Sequence, residues 1–245
     1  MSRIKFMNIE IDNLTMSEAL KSIDVLIGEK RNSFVVTPNV DHIIKLEQKG
    51  ELYEIYKHAD LILCDGKPLV WISKWYGHPI KEKISGSDLF PRLCEMAANK
   101  GYRMFFLGAA DGVAAKAADR LKCRYNNLQV VGTYSPPIGF ENDEKEMRKI
   151  INLIKTAHPH ILIVALGCPK QEKFIYHHKD ELEVPISLGL GASLDFEAGI
   201  INRAPKWMAD HGLEWIYRIT QDPRRLAKRY LIEDIKIFSL IWKYK

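Results

Sequence analysis

The sequence predicts an α/β fold built on a mostly parallel sheet with helices on both faces. Short runs rich in β-branched and aromatic residues alternate with longer segments of helical periodicity. Most of these runs are almost continuously apolar, as expected of parallel strands that are buried on both faces. Together these two patterns are typical of a Rossmann-like sheet. A third observation, a basic and aromatic-rich C-terminal segment, predicts a helical appendage after the sheet.

Six strands and four helices are predicted along the first 200 residues. The strands are expected at 33–39, 61–64, 102–108, 129–134, 160–167 and 185–191. The helices are expected at 40–58, 111–125, 141–157 and 169–180, with Gly50 expected to divide the first of them. We therefore predict a catalytic α/β domain over residues 1–200 and an appendage over residues 201–245.

The composition is that of an ordinary globular protein. The chain has 245 residues, of which 47% are hydrophobic and 27% are charged, so global disorder is not expected. Four cysteines lie far apart without a C-x-x-C motif, which favours a reducing compartment over a disulfide framework or a zinc ribbon. Because no apolar signal region opens the sequence, we expect a cytoplasmic protein.

The net charge is concentrated at the C-terminal end. Residues 201–245 hold 10 Lys/Arg and 5 Asp/Glu, a net charge of +5 that equals that of the whole chain. After a predicted helix at 205–218 and a break at Asp222-Pro223, a second helix is predicted from residue 224. It would place six apolar side chains on one face: Leu226, Tyr230, Leu231, Ile235, Phe238 and Trp242. Such a helix either packs on the core or lies on an anionic membrane surface, and both interpretations stay open.

Polar residues follow several predicted strands, at the edge of a parallel sheet where ligands usually bind. Asp65 follows the apolar run 61–64 and precedes Gly66. An Asp-Gly pair favours a turn, but a carboxylate that is partly desolvated there can also act as a general base. Thr37 and Asn39 end another predicted strand and could orient a hydroxyl group toward Asp65.

Two further segments could hold a phosphate-containing ligand. In "LGCPKQE" (166–172), Pro169 stands at a helix start, where free backbone N–H groups favour anions, and Lys170 and Gln171 add donors. A plain strand-to-helix connection would have a similar pattern. In "GLGASLDF" (189–196), Gly189 and Gly191 would let the backbone approach a diphosphate, and Asp195 could bind a base or ribose. The eight histidines show no metal-ligand spacing, so we predict no metal site.

The motifs, taken in order, resemble the WecG/TagA/CpsF family of bacterial glycosyltransferases. They are "TPN" (37–39), "DG" (65–66), "ISGSDLF" (84–90), "LGCPKQE", "GLGASLDFEAG" (189–199), "RAP" (203–205) and "GLEWIYRITQDPRR" (212–225). The resemblance covers about residues 5–232. It implies an inverting enzyme that moves a hexose or N-acetylhexosamine from a UDP-sugar to a polyprenyl-diphosphate-linked saccharide. Such a reaction serves cell-wall or exopolysaccharide synthesis, and the resemblance implies no metal or other cofactor.

The resemblance also implies roles for individual residues. Asp65 would be the catalytic base. The acceptor would contact Thr37, Asn39 and Lys83. The nucleotide-sugar would contact Gly108, Gly167, Lys170, Gln171, Gly189, Gly191 and Asp195. The membrane or the lipid diphosphate would contact Arg218, Arg224 and Arg225. Lys83 stands where the family often has Arg, and it cannot form the two-pronged contact of a guanidinium.

The partners and alternatives follow from the same resemblance. We expect the protein to lie peripherally on the inner face of the cell membrane and to bind no nucleic acid; a homo-oligomer stays open. The segment "DGKPLV" (65–70) is closer to the hexose-using branch of the family than to the N-acetylmannosamine branch. An NAD-dependent oxidoreductase and a non-enzymatic module that binds lipid or nucleic acid are the alternatives. The sequence does not name the donor sugar, the acceptor or the linkage.

Overall fold

A computed structural model describes residues 3–245, apart from the side chains of Asp210 and Arg225. The chain divides into two compact units, and each is assembled from separate stretches of sequence. The first unit consists of Met1–Met16, Thr37–Ser85 and Ile201–Lys245. The second unit consists of Ser17–Val36 and Gly86–Ile200. The assignment of catalysis to residues 1–200 and of membrane docking to residues 201–245 stays a prediction.

Strands and α-helices alternate along most of the described chain. The strands are β1 (Arg3–Phe6), β2 (Ile9–Asp12), β3 (Ser33–Val36), β4 (Leu61–Ile62), β5 (Arg103–Gly108), β6 (Gln129–Tyr134), β7 (Ile161–Ala165) and β8 (Ile186–Gly189). The first nine α-helices are α1 (Met16–Glu29), α2 (Val40–Leu46), α3 (Glu51–Lys57), α4 (Lys67–Trp75), α5 (Gly86–Lys100), α6 (Val113–Arg124), α7 (Glu144–Ala157), α8 (Lys170–Leu182) and α9 (Ser193–Glu197). The last four are α10 (Lys206–Asp210), α11 (Glu214–Gln221), α12 (Pro223–Lys228) and α13 (Ile237–Lys243).

The second unit is built on parallel strands in the order β3-β8-β7-β5-β6. Helices α6, α7 and α8 pack against these strands. All five residues of β7 are buried, as the continuous apolar run predicts. Because the strands run in one direction, their C-terminal ends share one edge, where Gly108 pairs with Ala165 and Val164 pairs with Gly189. The predicted α/β fold with a parallel sheet is confirmed.

The first unit contains an antiparallel hairpin that the sequence analysis did not identify. Strands β1 and β2 pair from Arg3 opposite Asp12 to Phe6 opposite Ile9, across a two-residue connection in which Met7 has a φ of 51°. The hairpin is tied to β4 because the Ile62 N–H donates to Asp12 Oδ2 at 2.9 Å. Two helices follow where one divided helix was predicted, since α2 ends before Gly50 and α3 begins after it.

The C-terminal segment packs on the rest of the first unit through several specific contacts. The Tyr76 hydroxyl donates to the Ile241 carbonyl at 2.9 Å, and the Trp242 ring meets the Trp75 ring edge-on at 5.9 Å. Gly212 approaches Trp71 so closely that an added Cβ would lie 2.4 Å from the ring. No helix within residues 3–245 has the length and apolar character required to cross a bilayer.

The predicted single helix from residue 224 onward is wrong. A π-helical turn (Arg229–Glu233) and a 3₁₀ turn (Asp234–Lys236) separate α12 from α13. The wider π turn shifts the helical phase, so the predicted face is divided between core and solvent. Leu226 is buried, together with two side chains outside the predicted set, Ile237 and Leu240. The exposed members of the predicted face are Leu231, Ile235, Phe238 and Trp242.

Gly108, a residue of the predicted nucleotide site, stands where the backbone leaves no room for a side chain. Its φ is 111°, and an added Cβ would lie 2.4 Å from the Ala165 carbonyl oxygen. Both the backbone conformation and the close approach of β5 to β7 therefore exclude a side chain.

We predict that Gly108→Ala lowers the free energy of unfolding by at least about 2 kcal/mol, because backbone strain and a backbone clash add. Gly28 is the matched control, since it lies in α1 with open space around its Cα. Gly28→Ala should raise stability by about 0.5–1 kcal/mol through helix propensity. Urea unfolding measures both values, and equal effects of the two substitutions would contradict the close approach.

Candidate active site

A cavity of about 300 Å³ in the first unit contains the carboxylate of Asp65. Its polar and charged lining includes Asn39, Lys67, Lys83, Glu214, Arg218, Arg229 and Asp234. Its apolar lining includes Val40, Trp215, Tyr230, Ile235, Ile237 and Phe238. The cavity is therefore formed by residues that follow β3 and β4, together with the C-terminal helices.

The local sequence explains why Asp65 faces this cavity. Leu63 and Cys64 continue the buried path of β4, and the Asp65 N–H then donates to the Pro38 carbonyl at 2.9 Å. Gly66 follows with a φ of 123°, which turns the chain away from the strand. Pro68 stands in the first turn of α4, where its missing N–H costs nothing. The aspartate is thus held between a buried strand and a helix start.

The protonation of Asp65 depends on opposing effects. Burial raises the pKa of its carboxyl from 3.8 to about 6, because loss of hydration penalises the charged form. Lys83, Arg218 and His42 lower this pKa, while Glu214 raises it. Two of the predicted site residues, Lys83 and Arg218, therefore act electrostatically on the predicted base. The resulting carboxyl can accept a proton near neutral pH.

Asn39 closes one end of the cavity as the N-cap of α2. Its side-chain oxygen accepts from the Asp41 N–H at 3.1 Å and from Arg229 Nη2 at 3.1 Å. The His42 ring completes a capping box with Asn39. The orientation of Asn39 thus depends on both the helix start and the C-terminal segment.

Arg229 is a cavity residue that the sequence analysis did not identify as part of the site. Besides Asn39 it faces two carboxylates, with Nη2 at 3.7 Å from Asp41 Oδ2 and Nε at 4.0 Å from Asp234 Oδ2. Burial raises the pKa of Asp234 to about 6, although Arg229 opposes this effect. The sequence signal was a basic residue in the amphipathic tail, which does not reveal a contact 190 residues away.

The remaining predicted residues of the first unit are less central. Thr37 is buried beside Pro38, and among the described residues it does not line the cavity. Arg224 is exposed in α12 and also does not line the cavity as described. The side chain of Arg225 lies outside the described part of the structure.

In the second unit, the strand edge brings together most of the predicted nucleotide-site residues. Gly108 ends β5, Gly167 follows β7, and Gly189 ends β8. Gln171 is buried in the first turn of α8, and its side-chain oxygen accepts from the Gly191 N–H at 3.0 Å. Gln171 Nε2 donates to Glu172 Oε1 at 2.9 Å. Gln171 therefore holds the glycine loop after β8 through a hydrogen bond to the backbone of Gly191.

Gly189 and the two charged residues complete this edge. An added Cβ at Gly189 would meet Gln171 Nε2 at 3.1 Å, so a larger residue there would require Gln171 to shift by a few tenths of an ångström. Lys170 is paired with Glu141, and Asp195 stands in the first turn of α9. Helix α8 spans 13 residues, so its N-terminus carries the partial positive charge that favours a phosphate.

The comparisons with known proteins agree with the geometry. The sequence matches the glycosyl transferase WecG/TagA/CpsF family over residues 4–245. The chain belongs to this family of glycosyl transferases. The predicted resemblance is therefore confirmed across nearly the whole chain.

Three similar proteins share one name with each other. A protein from Bacillus spizizenii named N-acetylglucosaminyldiphosphoundecaprenol N-acetyl-beta-D-mannosaminyltransferase is 34% identical over 81% of this chain and 75% of its own. A protein of the same name from Bacillus subtilis is 31% identical over the same shares. A third, from Staphylococcus aureus, is 28% identical over 97% of this chain and 91% of its own.

For this glycosyl transferase we predict that Asp65→Asn stabilises the fold at neutral pH. Asp65 binds its proton more tightly in the folded chain than in the unfolded chain, so the stability of the native protein falls as pH rises from about 4 to 6. Removing the charge should add up to about 3 kcal/mol to the free energy of unfolding at pH 7.5 and little below pH 4.

The measurement is urea unfolding of both proteins at the two pH values. Asp119→Asn on the exposed face of α6 is the matched control and should change stability little at either pH. A stability of Asp65→Asn equal to or below that of the native protein at pH 7.5 would exclude a desolvated carboxylate.

Proposed function

We propose that this glycosyl transferase moves a sugar from a UDP-sugar to a lipid-linked saccharide, with inversion at the anomeric carbon. The Asp65 carboxylate takes the proton of an acceptor hydroxyl, and the oxygen of that hydroxyl attacks the anomeric carbon. The bond between that carbon and the diphosphate oxygen breaks, and UDP leaves with the electron pair. Inversion follows because a single displacement occurs on the face opposite the leaving group.

The observation that carries this proposal is the carboxyl of Asp65 in a cavity with two cationic neighbours. A general base works best when its pKa lies near the working pH, and burial raises the pKa of Asp65 to about 6. An ordinary surface aspartate would be too weak a base. Membership of a glycosyl transferase family favours this reaction over an oxidoreductase or a non-enzymatic binding module.

The donor is proposed to bind at the strand edge of the second unit. The glycine loop held by Gln171 allows close approach of a diphosphate, and the N-terminus of α8 favours its negative charge. Lys170 is proposed to meet the diphosphate and Asp195 the nucleoside. We propose that these groups stabilise the leaving UDP without a metal or other cofactor.

The substrates are proposed from the names of the relatives. Those proteins are named for transfer of N-acetyl-mannosamine to N-acetylglucosaminyl-diphosphoundecaprenol. We propose UDP-N-acetylmannosamine as the first donor to test here, with UDP-glucose as the hexose comparison. The polyprenyl-diphosphate acceptor is proposed to place its diphosphate near Lys83 and Arg218, which line the cavity. Such a product belongs to cell-wall or surface-polysaccharide synthesis.

The membrane is proposed to bind exposed apolar side chains of the first unit, which we call the proposed membrane face. They are Trp71, Trp75, Trp207, Ile216, Leu231, Ile232, Ile235, Phe238 and Trp242. Apolar side chains next to Lys and Arg residues are typical of a peripheral protein on an anionic surface. The same face would mediate self-association away from a membrane.

We predict that Asp65→Asn lowers kcat by about 10²- to 10⁴-fold, since the amide cannot accept the proton. The rate of the native enzyme should fall below a pH of about 6 as Asp65 becomes protonated. The assay measures UDP release from UDP-N-acetylmannosamine with a short-chain lipid-linked acceptor, and EDTA should leave the rate unchanged. Asp119→Asn should retain the native rate. A near-native kcat for folded Asp65→Asn would contradict the proposed base.

We predict that Phe238→Ser combined with Trp242→Ser weakens binding to phosphatidylglycerol vesicles by about 10²- to 10⁴-fold. Each apolar side chain contributes about 1.5–3 kcal/mol when it is buried in lipid. Ile138→Ser is the control, because Ile138 is also an exposed apolar residue but lies in the second unit. Co-sedimentation measures the binding, and equal partitioning of all three proteins would contradict the proposed membrane face.

A further inference from the structure

A second cavity in the first unit has a volume of about 590 Å³ and shares no lining residue with the cavity that contains Asp65. It lies among the β1–β2 hairpin, helix α3 and the last residues of the chain. Four cationic side chains line it, Arg3, Lys5, Lys49 and Lys57, against the single carboxylate of Glu10. Such an excess of one charge around a concave surface favours a ligand of the opposite charge.

Two of these cations are already neutralised by the protein. Arg3 Nε donates to the buried Asp12 at 3.1 Å, and Arg3 also lies 4.0 Å from Glu10. Lys57 Nζ donates to Glu54 at 2.9 Å. Arg3 and Lys57 therefore line the cavity as members of ion pairs, and they attract an anionic ligand only weakly.

Lys5 and Lys49 are different. Both are exposed, and within residues 3–245 neither ammonium group has a described hydrogen bond or ion pair. They approach the cavity from separate elements, Lys5 from β1 and Lys49 from the connection between α2 and α3. An anion that enters the cavity would be attracted by both ammonium groups.

The cavity is also linked to the docked end of the chain. Tyr244 lines it, and the Tyr244 hydroxyl donates to Glu47 Oε2 at 2.8 Å. Lys243 pairs with the same carboxylate, so the charge of Glu47 is compensated and does not oppose an anion nearby. Burial together with Glu47 raises the pKa of Tyr244 to about 12, so the hydroxyl stays protonated and keeps this contact.

Helix α2 connects the two cavities. Asn39 caps its N-terminal end at the Asp65 cavity, while Glu47 follows its C-terminal end beside Tyr244. Seven helical residues span about 10 Å, so Asn39 and Glu47 lie roughly that far apart along the helix. A ligand in the basic cavity would therefore bind next to the contacts that hold the C-terminal residues on the first unit.

We propose that the basic cavity is an anion site for a phosphate group, recognised by Lys5 and Lys49. The group is either a free phosphate compound or the phosphate of a lipid headgroup. Because Tyr244 lines the cavity, a ligand bound there favours the docked arrangement of the C-terminal residues. The site is distinct from the proposed donor and acceptor sites, and its test does not depend on transferase activity.

The test titrates pyrophosphate into the full chain and follows the backbone amide signals of Lys5, Lys49 and Tyr53 by NMR. We expect saturable shifts that weaken at high salt. The double substitution Lys5→Gln and Lys49→Gln should weaken binding about tenfold or more, because two charge-assisted contacts are lost. Lys116→Gln with Lys122→Gln on α6 makes the same change of net charge and should leave the shifts unaltered.

A second arm identifies the source of the phosphate. Vesicles of phosphatidylglycerol, compared with phosphatidylcholine, are tested for protection of Lys5 and Lys49 against acylation, which is read by mass spectrometry. Protection by phosphatidylglycerol without a pyrophosphate response would assign the site to a lipid headgroup, and a pyrophosphate response would assign it to soluble phosphate. The proposal is overturned if neither probe gives a response at these lysines, or if the pyrophosphate response persists in the double variant.

Discussion

The carboxylate of Asp65 loses much of its hydration where β4 gives way to α4, and the surrounding structure compensates only in part. Lys83, Arg218 and His42 favour the charged form, while burial and Glu214 oppose it. The balance leaves a carboxyl whose pKa is about 6. The raised pKa of Asp65 depends on the buried strand before it, the turn at Gly66 after it, and cavity residues from distant parts of the sequence.

The C-terminal segment contributes to this balance as well as to the surface. Arg218 faces the cavity from α11, and Arg229 reaches the N-cap of α2 through Asn39. Removing the guanidinium from a buried carboxylate leaves an uncompensated charge, which is costly. The contacts of Arg229 with Asp41 and Asp234 therefore favour the arrangement in which the C-terminal segment packs on the first unit. The same segment leaves Phe238 and Trp242 exposed. One stretch of chain thus combines a polar inner face with an apolar outer face.

The sequence was sufficient for the parallel sheet and for most of its strands. Strand β6 begins and ends where it was predicted, and its end is marked by Ser135 and the two prolines that follow it. The hairpin was missed since β1 and β2 are short, and only their alternation of polar and apolar residues indicates strands. Helix α6 begins at Val113, after Gly112 in a left-handed conformation, and not at Asp111 as predicted. The π turn at Arg229–Glu233 has no simple sequence signal, and it divides the predicted apolar face between buried and exposed side chains.

The candidate site was predicted only in part, because local motifs do not reveal contacts between distant residues. Motifs identified Asp65, Asn39, Lys83 and Arg218, which line one cavity. The contact between Arg229 and Asn39 joins residues that no local pattern connects. Gln171 also makes a contact that no motif reveals, because its side-chain oxygen accepts a hydrogen bond from the Gly191 N–H. Motifs thus found the chemical groups, while tertiary contacts determine how those groups are oriented.

The most direct measurement is a carbon-13 NMR titration of the Asp65 carboxyl, assigned by comparison with Asp65→Asn. The opposing effects of burial and neighbouring cations predict a midpoint at a pH of about 6. A midpoint near the ordinary aspartate value of about 4 would mean that the carboxylate is solvated. That result would contradict the central claim that the fold desolvates Asp65 enough to make it a base.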